Sequence, residues 1–240
     1  MNIVSKQDLK YQNLVEHGTF SDIYSVLQSG SEFYYKEFRE EYPLDIIKNI
    51  AMFTDENYSE EFLTPRYMVR DSETNAFSGY LTNPKKSLYQ ISEIKNLEEQ
   101  KILLMQAKSS ILKLRYYYGI IHGDLNKKNI LIDELNVANI LDFDTALRFG
   151  QPVGSDSLFP SIIKDYLKYN PFDERIDTYG FNLTTLATIL NCDWKEVLSK
   201  IYNDDYSIPG ETIMCRKLAK ELLLTDSKKK YSGEFIIDYI

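Results

Sequence analysis

The chain has 240 residues, 43% of them hydrophobic and 27% charged, with a formal net charge of −8. That length is enough for one domain or two closely packed lobes with a real core, and the acidic balance excludes a broad basic surface for nucleic acid. No apolar run approaches a membrane span, and the first ten residues lack the basic-then-apolar plan of a secretory signal, so the expected compartment is the cytoplasm, with neither membrane nor nucleic acid as partner.

Strands are expected first. Leu14–Glu16 and Ile23–Leu27 flank a turn at His17-Gly18-Thr19-Phe20, and Glu32–Phe38 reads as a third, aromatic-rich strand. Pro43 can open a helix, because its missing N–H costs nothing in a first turn; Ile46, Ile47, Ile50 and Phe53 then recur at helical spacing. Tyr67–Val69 and Phe77–Leu81 predict two further strands around the polar turn 71–75, and Asn83-Pro84 makes a boundary between an N-terminal lobe (1–82) and a C-terminal lobe (83–240). From there the pattern is helical. Leu97–Tyr118 predicts a long amphipathic helix with Ile102, Leu104, Met105, Ile111, Leu112 and Leu114 as its apolar face, ended by Gly119. Ile162–Tyr169, Thr178–Leu190, Trp194–Tyr202 and Glu211–Leu224 fit further helices. Strands and helices are segregated, which argues for α+β and against a doubly wound nucleotide fold. Cys192 and Cys215 stand outside any C-x-x-C pair and predict reduced, buried thiols.

The chemistry concentrates in two acidic islands. His122-Gly123-Asp124-Leu125-Asn126-Lys127-Lys128-Asn129 precedes the apolar run Ile130–Ile132, and Asp142-Phe143-Asp144 follows. An Asp, an Asn five residues on, a strand and another Asp are what phosphoryl transfer from ATP needs: one carboxylate to orient a hydroxyl, and an amide oxygen and a second carboxylate to hold magnesium. Lys36, on the third predicted strand, is a point cation suited to phosphates.

On these residues the chain resembles the protein-kinase-like superfamily, over most of its length. The resemblance implies a bilobal fold with a small strand-rich N-lobe and a helical C-lobe, and an ATP- and Mg2+-dependent phosphotransferase. It assigns Asp124 to the substrate hydroxyl's proton, Asn129 and Asp142 to magnesium, and Lys36 to the α- and β-phosphates. Gly18 and Leu81 fall to the nucleotide, Gly18 as the one glycine kept in the phosphate-covering loop, where Glu16 and Ser21 stand for its neighbours. The acidic partner of Lys36 stays open among Asp45, Asp55 and Glu56. Asp177, in Asp177-Thr178-Tyr179-Gly180, resembles the family aspartate that holds the catalytic loop's amides; an ordinary helix N-cap is the other reading.

Departures shape the functional expectation. Gly123 stands where protein kinases often carry an arginine that pairs with a phosphorylated loop, so activation by loop phosphorylation is not expected. The His-Gly-Asp form is similar to aminoglycoside and choline kinases. Asn126 replaces a phosphate-contacting lysine, with Lys127 or Lys128 as substitutes. Asp144 replaces a glycine, which predicts a fixed Asp142 and an added carboxylate for a second magnesium. Phe159-Pro160-Ser161 lacks the glutamate of a peptide-docking motif, and Lys228–Lys230 reads as a solvated turn. A Ser/Thr-type kinase acting on a protein substrate leads. A small-molecule kinase for a cationic substrate, held by Asp204, Asp205 or Glu211, is second, and a nucleotide-binding pseudokinase third.

Overall fold

Aromatic and β-branched residues, which suit a half-buried pleated surface, recur through the first third of the chain and build a sheet there. The computed structural model describes residues 2–18, 20–39, 43–54, 56–85, 87–151, 159–170, 172–223 and 231–240, with residue 45 described by its backbone alone. They form two units: Met1–Lys86 together with Asp142–Asp144, and Ser87–Leu141 together with Thr145–Ile240. The architecture is α+β, a strand-rich sheet region and six α-helices among the described residues, compatible with the two-lobed expectation. No described helix is long and apolar enough to cross a membrane.

In the first unit, β1 (Ile3–Ser5), β2 (Lys10–His17), β3 (Ser21–Gln28), β4 (Ser31–Phe38), β5 (Tyr67–Arg70) and β6 (Phe77–Thr82) form one sheet in the order β1-β5-β6-β4-β3-β2. The β4–β6 register sets Tyr35 opposite Leu81 and Lys36 opposite Tyr80. Successive side chains alternate faces, so Tyr35 and Leu81 share one face, packed with Val4, Leu9, Val26 and Val69. Lys36 and Tyr80 take the other face. Edge strand β2 is exposed along its length and broken by irregularities at Tyr11/Asn13 and Leu14/Glu16, a form that discourages pairing with another chain. Helix α1 (Leu44–Phe53) starts after Pro43 and runs beside β5, burying Ile46, Ile50 and Phe53 at i, i+4, i+7.

The second unit is built on α2 (Leu97–Tyr116). Its N-cap Asn96 accepts from the N–H groups of Glu98 and Glu99 at 2.9 and 3.3 Å, with acids in the first turn and Lys113 and Arg115 in the last, complementing the helix dipole. The buried stripe is Gln100, Leu103, Leu104, Ala107, Ile111, Leu114 and Arg115. This corrects the predicted face, since Ile102 and Met105 are 60% and 43% exposed. Apolar residues crowd 102–105, and only the 3.6-residue spacing through 103, 107, 111 and 114 selects the inward set. Helices α3 (Ser161–Leu167), α4 (Arg175–Ile189), α5 (Trp194–Tyr202) and α6 (Ile213–Glu221) complete the unit. Every residue of α4 from Ile176 to Thr188 is buried, as for a helix packed on all sides. Around it lie Tyr166, Val197, Ile201, Cys215 and Leu218; Cys192 and Cys215 are free, buried thiols. Short strands β7 (Tyr89–Gln90), β9 (Ile130–Ile132) and β10 (Ala138–Ile140) pair in the order β10-β9-β7, and β8 (Ile120–Ile121) pairs with β11 (Leu147–Arg148).

Candidate functional site

In the first unit the strand lysine meets the second acidic island. Lys36 Nζ donates to Asp142 Oδ1 at 2.6 Å and to Asp144 Oδ2 at 2.8 Å, and the Tyr80 hydroxyl donates to Asp144 Oδ1 at 2.8 Å. Burial alone would lower the lysine's pKa; the Asp142 and Asp144 charges outweigh it and hold the ammonium well above its ordinary value. Burial, then the charge of Asp142, pushes Asp144 up to about 6, against the pull of Lys36. The Tyr80 hydroxyl is raised well above its ordinary value, first by burial and then by Asp144. The two carboxylates differ in access, with side chains 38% exposed at Asp142 and 8% at Asp144. Asp142 has a left-handed backbone, φ +62°, a conformation that Asp tolerates better than most residues. Phe143, fully buried, anchors the island against Phe53 of α1 with ring centroids 5.4 Å apart.

Asp144 therefore does not stand as an extra open carboxylate for a second ion: one oxygen accepts from Tyr80 and the other from Lys36. Among the residues left open as the lysine's partner, Asp55 and the side chain of Asp45 lie outside the described residues, and Glu56 accepts from the Tyr58 hydroxyl at 2.9 Å.

Two expected nucleotide residues are placed differently. The Gly18 N–H donates to the Ser21 carbonyl at 2.8 Å, closing the β2–β3 turn, and a Cβ at 18 would stand 2.9 Å from that same oxygen. The glycine serves a tight turn, and its amide is committed there. Beside it His17 Nδ1 lies 2.7 Å from Asp22 Oδ1, and Arg39 pairs with both Asp22 oxygens. Arg39 first, then His17, holds the Asp22 carboxyl down at about 2. Leu81, 0% exposed, belongs to the apolar face opposite Lys36. A strand's period of two puts neighbouring residues on opposite faces, so the residue beside Lys36 across the strands is Tyr80.

The second unit holds the first island. The Asp124 carboxylate is oriented by two side-chain amides, Asn126 Nδ2 to Oδ1 and Asn129 Nδ2 to Oδ2, each at 3.0 Å. Asn129 Nδ2 also donates to the Asp124 carbonyl at 2.9 Å. With its nitrogen spent twice on Asp124, the network assigns the other end of the carboxamide as the oxygen, the atom suited to a hard cation. Asn126 accepts from the Lys128 N–H at 2.8 Å, so it shapes the loop, while Lys127 is half-buried and Lys128 exposed.

Hydrogen bonds from several elements hold this loop in place. Asp177, buried in the first turn of α4, accepts the N–H of His122 at 2.9 Å and of Gly123 at 2.8 Å. The helix begins at Arg175, so Asp177 is not its N-cap; burial, chiefly, raises its pKa despite those donors. His122, fully buried, has Nε2 2.8 Å from the Leu141 carbonyl while Nδ1 accepts the Asp124 N–H at 3.3 Å, a pairing that assigns the proton to Nε2. The β9–β10 hairpin, its turn tied by Asp133, brings the Leu141 N–H to the Asn129 carbonyl at 2.9 Å, one residue before Asp142. Gly123 has φ +81°, and a Cβ there would meet Phe159 Cε1 at 2.9 Å and the Thr145 carbonyl at 3.3 Å.

Thus Lys36 and Asp142 meet in one unit, and Asp124 and Asn129 in the other. The sequence reading missed Tyr80 and the lysine-holding role of Asp144; a tyrosine in a strand carries no motif, although the Lys36–Tyr80 register follows once the strands are paired. Of the three acids considered for a cationic substrate, Glu211 pairs with Arg216 and Asp204 with Lys220 at 3.6 Å. Residues 152–158 and 228–230 lie outside the described residues. No cluster of three His, Cys, Asp or Glu side chains suited to a metal occurs among the described residues.

No protein-family model matches the chain. It is similar to two curated proteins of Dictyostelium discoideum, both described as "Probable LIM domain-containing serine/threonine-protein kinase". One is 25% identical over 251 residues, covering 95% of this chain and 24% of the relative. The other is 24% identical over 253 residues, covering 95% of this chain and 36% of the relative. The chain spans about a quarter to a third of the length of the curated relatives it matches. The similarity is distant and of a kinase-like kind.

Proposed function

We propose that the chain is an ATP- and magnesium-dependent phosphotransferase of the Ser/Thr protein-kinase type, transferring the γ-phosphate to a hydroxyl on a protein. The observation that carries the reading is the 2.6 Å contact of Lys36 Nζ with Asp142 Oδ1, which joins a strand cation and an acidic-island carboxylate 106 residues apart in the chain. The residues fit the implied cofactor. Magnesium needs only one or two protein oxygens beside its phosphates and waters, so the absence of a three-acid cluster among the described residues is no obstacle. The Asp142 carboxylate in one unit and the Asn129 carboxamide oxygen in the other are each donors of the kind magnesium takes; bound, the ion would neutralise phosphate oxygens. Lys36, kept charged by its acids, would grip the α- and β-phosphates as a point cation. Asp124, its carboxylate plane set by Asn126 and Asn129, would accept the hydroxyl's proton and aim the oxygen. Asp177 and His122 would keep that carboxylate in place through the loop backbone. The distant likeness to proteins described as serine/threonine kinases supports a protein acceptor over a small molecule.

The test is transfer of label from γ-labelled ATP with magnesium, comparing the wild-type chain with Asp124→Asn. Label reaching the chain itself or a generic protein substrate, and lost in the variant, is the expected result. Turnover seen only when an aminoglycoside or amino alcohol is added would move the acceptor to a small molecule. Nucleotide binding with no transfer to any acceptor would overturn the catalytic reading.

A further inference from the structure

Among the described residues Lys36 has two carboxylate partners, both from the same short island, and they are not equivalent. Asp142 is the accessible one and carries the left-handed backbone. Asp144 is buried against the sheet face that carries Lys36 and Tyr80, 6% exposed, with one oxygen on Lys36 and the other on Tyr80. Tyr80 is itself locked: it lies opposite Lys36 across the β4–β6 ladder, is 2% exposed, and stacks edge-on against Phe38 with centroids 5.9 Å apart. The lysine, Asp144 and the tyrosine that orients that acid thus form a connected set on one face of the sheet, with Nζ 5.8 and 5.9 Å from the Phe38 and Tyr80 rings.

Resting on the phosphotransfer reading above, we propose that Asp144, oriented by the Tyr80 hydroxyl, is the positioning residue for Lys36 in that reaction. When Asp142 turns its charge to an ion, Asp144 remains with the lysine and keeps the ammonium aimed and charge-balanced. The duty of holding the lysine is then carried by the acidic island itself, two residues beyond the ion ligand, so the order of residues 142–144 sets both ion and lysine together. A buried carboxylate with both oxygens donated to by the protein is built to hold a neighbour and poorly built to take up a hydrated cation, since each donor would have to be displaced.

The experiment compares kcat and KM for ATP, and the magnesium concentration giving half-maximal rate, in wild type, Asp144→Asn, Tyr80→Phe, Lys36→Met and the Lys36→Met/Asp144→Asn pair. Asp144→Asn is expected to lower kcat/KM for ATP by about 10- to 100-fold, the range for partners that orient a functional group. The half-saturating magnesium should stay as in wild type. Tyr80→Phe, which keeps the ring packing, should give a smaller loss in the same direction. With Lys36 already replaced, Asp144→Asn should add less than about 2-fold, because coupled residues are strongly non-additive. A raised magnesium requirement in Asp144→Asn would make Asp144 an ion ligand and overturn the proposal. Losses that multiply in the double variant would make it a purely structural residue, with the same consequence. A wild-type chain that transfers no phosphate would sink the phosphotransfer reading itself, a result distinguishable from both.

Discussion

Gly123 and Phe159 approach so closely that a single added carbon would not fit: a Cβ at 123 lies 2.9 Å from the phenylalanine ring, and the glycine's φ is +81°. The arginine that many protein kinases carry at this point could not be accommodated without moving Phe159. Gly123→Ala is therefore expected to destabilise the chain on two counts. The left-handed backbone costs about 1–2 kcal/mol for a residue with a Cβ, and overpacking against Phe159 adds about 1–3 kcal/mol. Urea denaturation checks this. A midpoint equal to wild type would mean that Phe159 yields freely.

Asp177 accepts two buried backbone N–H groups with its two oxygens. Asp177→Asn keeps the shape but offers only one acceptor, and turns an amide N–H2 toward a donor. Leaving one buried N–H unsatisfied costs about 1–3 kcal/mol. Because those amides belong to His122 and Gly123, next to Asp124, the proposed function predicts that the rate of phosphoryl transfer falls, while nucleotide affinity, which that proposal gives to Lys36 and Asp142, holds. Kinetics with ATP as the varied substrate separate the two: a change confined to KM would contradict the loop-holding role.

Much of this was legible in the chain. Helix α5 runs from Trp194 to Tyr202 as its spacing predicts, and the motif residues meet in pairs, Lys36 with Asp142 and Asp124 with Asn129. What escaped has physical causes. Leu81 looked like a nucleotide contact, but a strand position cannot be assigned to a face until the register is known, and a shift of one residue reverses the side. The α2 face was misphased because apolar residues occupy both 102–105 and 111–114. Gly18 is needed by the turn that Ser21 closes, a demand that depends on the partner strand. The partnership of Asp144 with Tyr80 joins residues 64 apart, and no local pattern records it.

The cluster at the β2–β3 turn should respond to acid. Asp22 is held down at about 2, first by Arg39 and then by His17, so its folded pKa lies below its ordinary value. Such a carboxylate favours the fold at pH above about 4 and loses that contribution as pH falls toward 2. Asp22→Asn should remove that component of the acid dependence near the turn while leaving behaviour at neutral pH largely as before, since exposed pairs contribute little there. Carboxyl titration by NMR reads it directly. An Asp22 titrating at the ordinary Asp value would show that Arg39 does not hold it in solution.

Asp142 combines a left-handed backbone with the most accessible carboxylate in contact with Lys36. Asn tolerates that backbone as Asp does, and Lys36 would keep Asp144, so Asp142→Asn should fold nearly as wild type does. Its loss should appear only with ligand. At nucleotide 100-fold above its dissociation constant, binding stabilises a protein by about 2.7 kcal/mol, which raises the melting temperature of a chain this size by about 5–10 °C. Wild type with ATP and magnesium should show that rise and lose most of it on chelation by EDTA. Asp142→Asn should melt at the same temperature with and without magnesium. If the variant keeps the magnesium-dependent rise, Asp142 does not hold the ion, and the oxygen that does must be sought elsewhere in the chain.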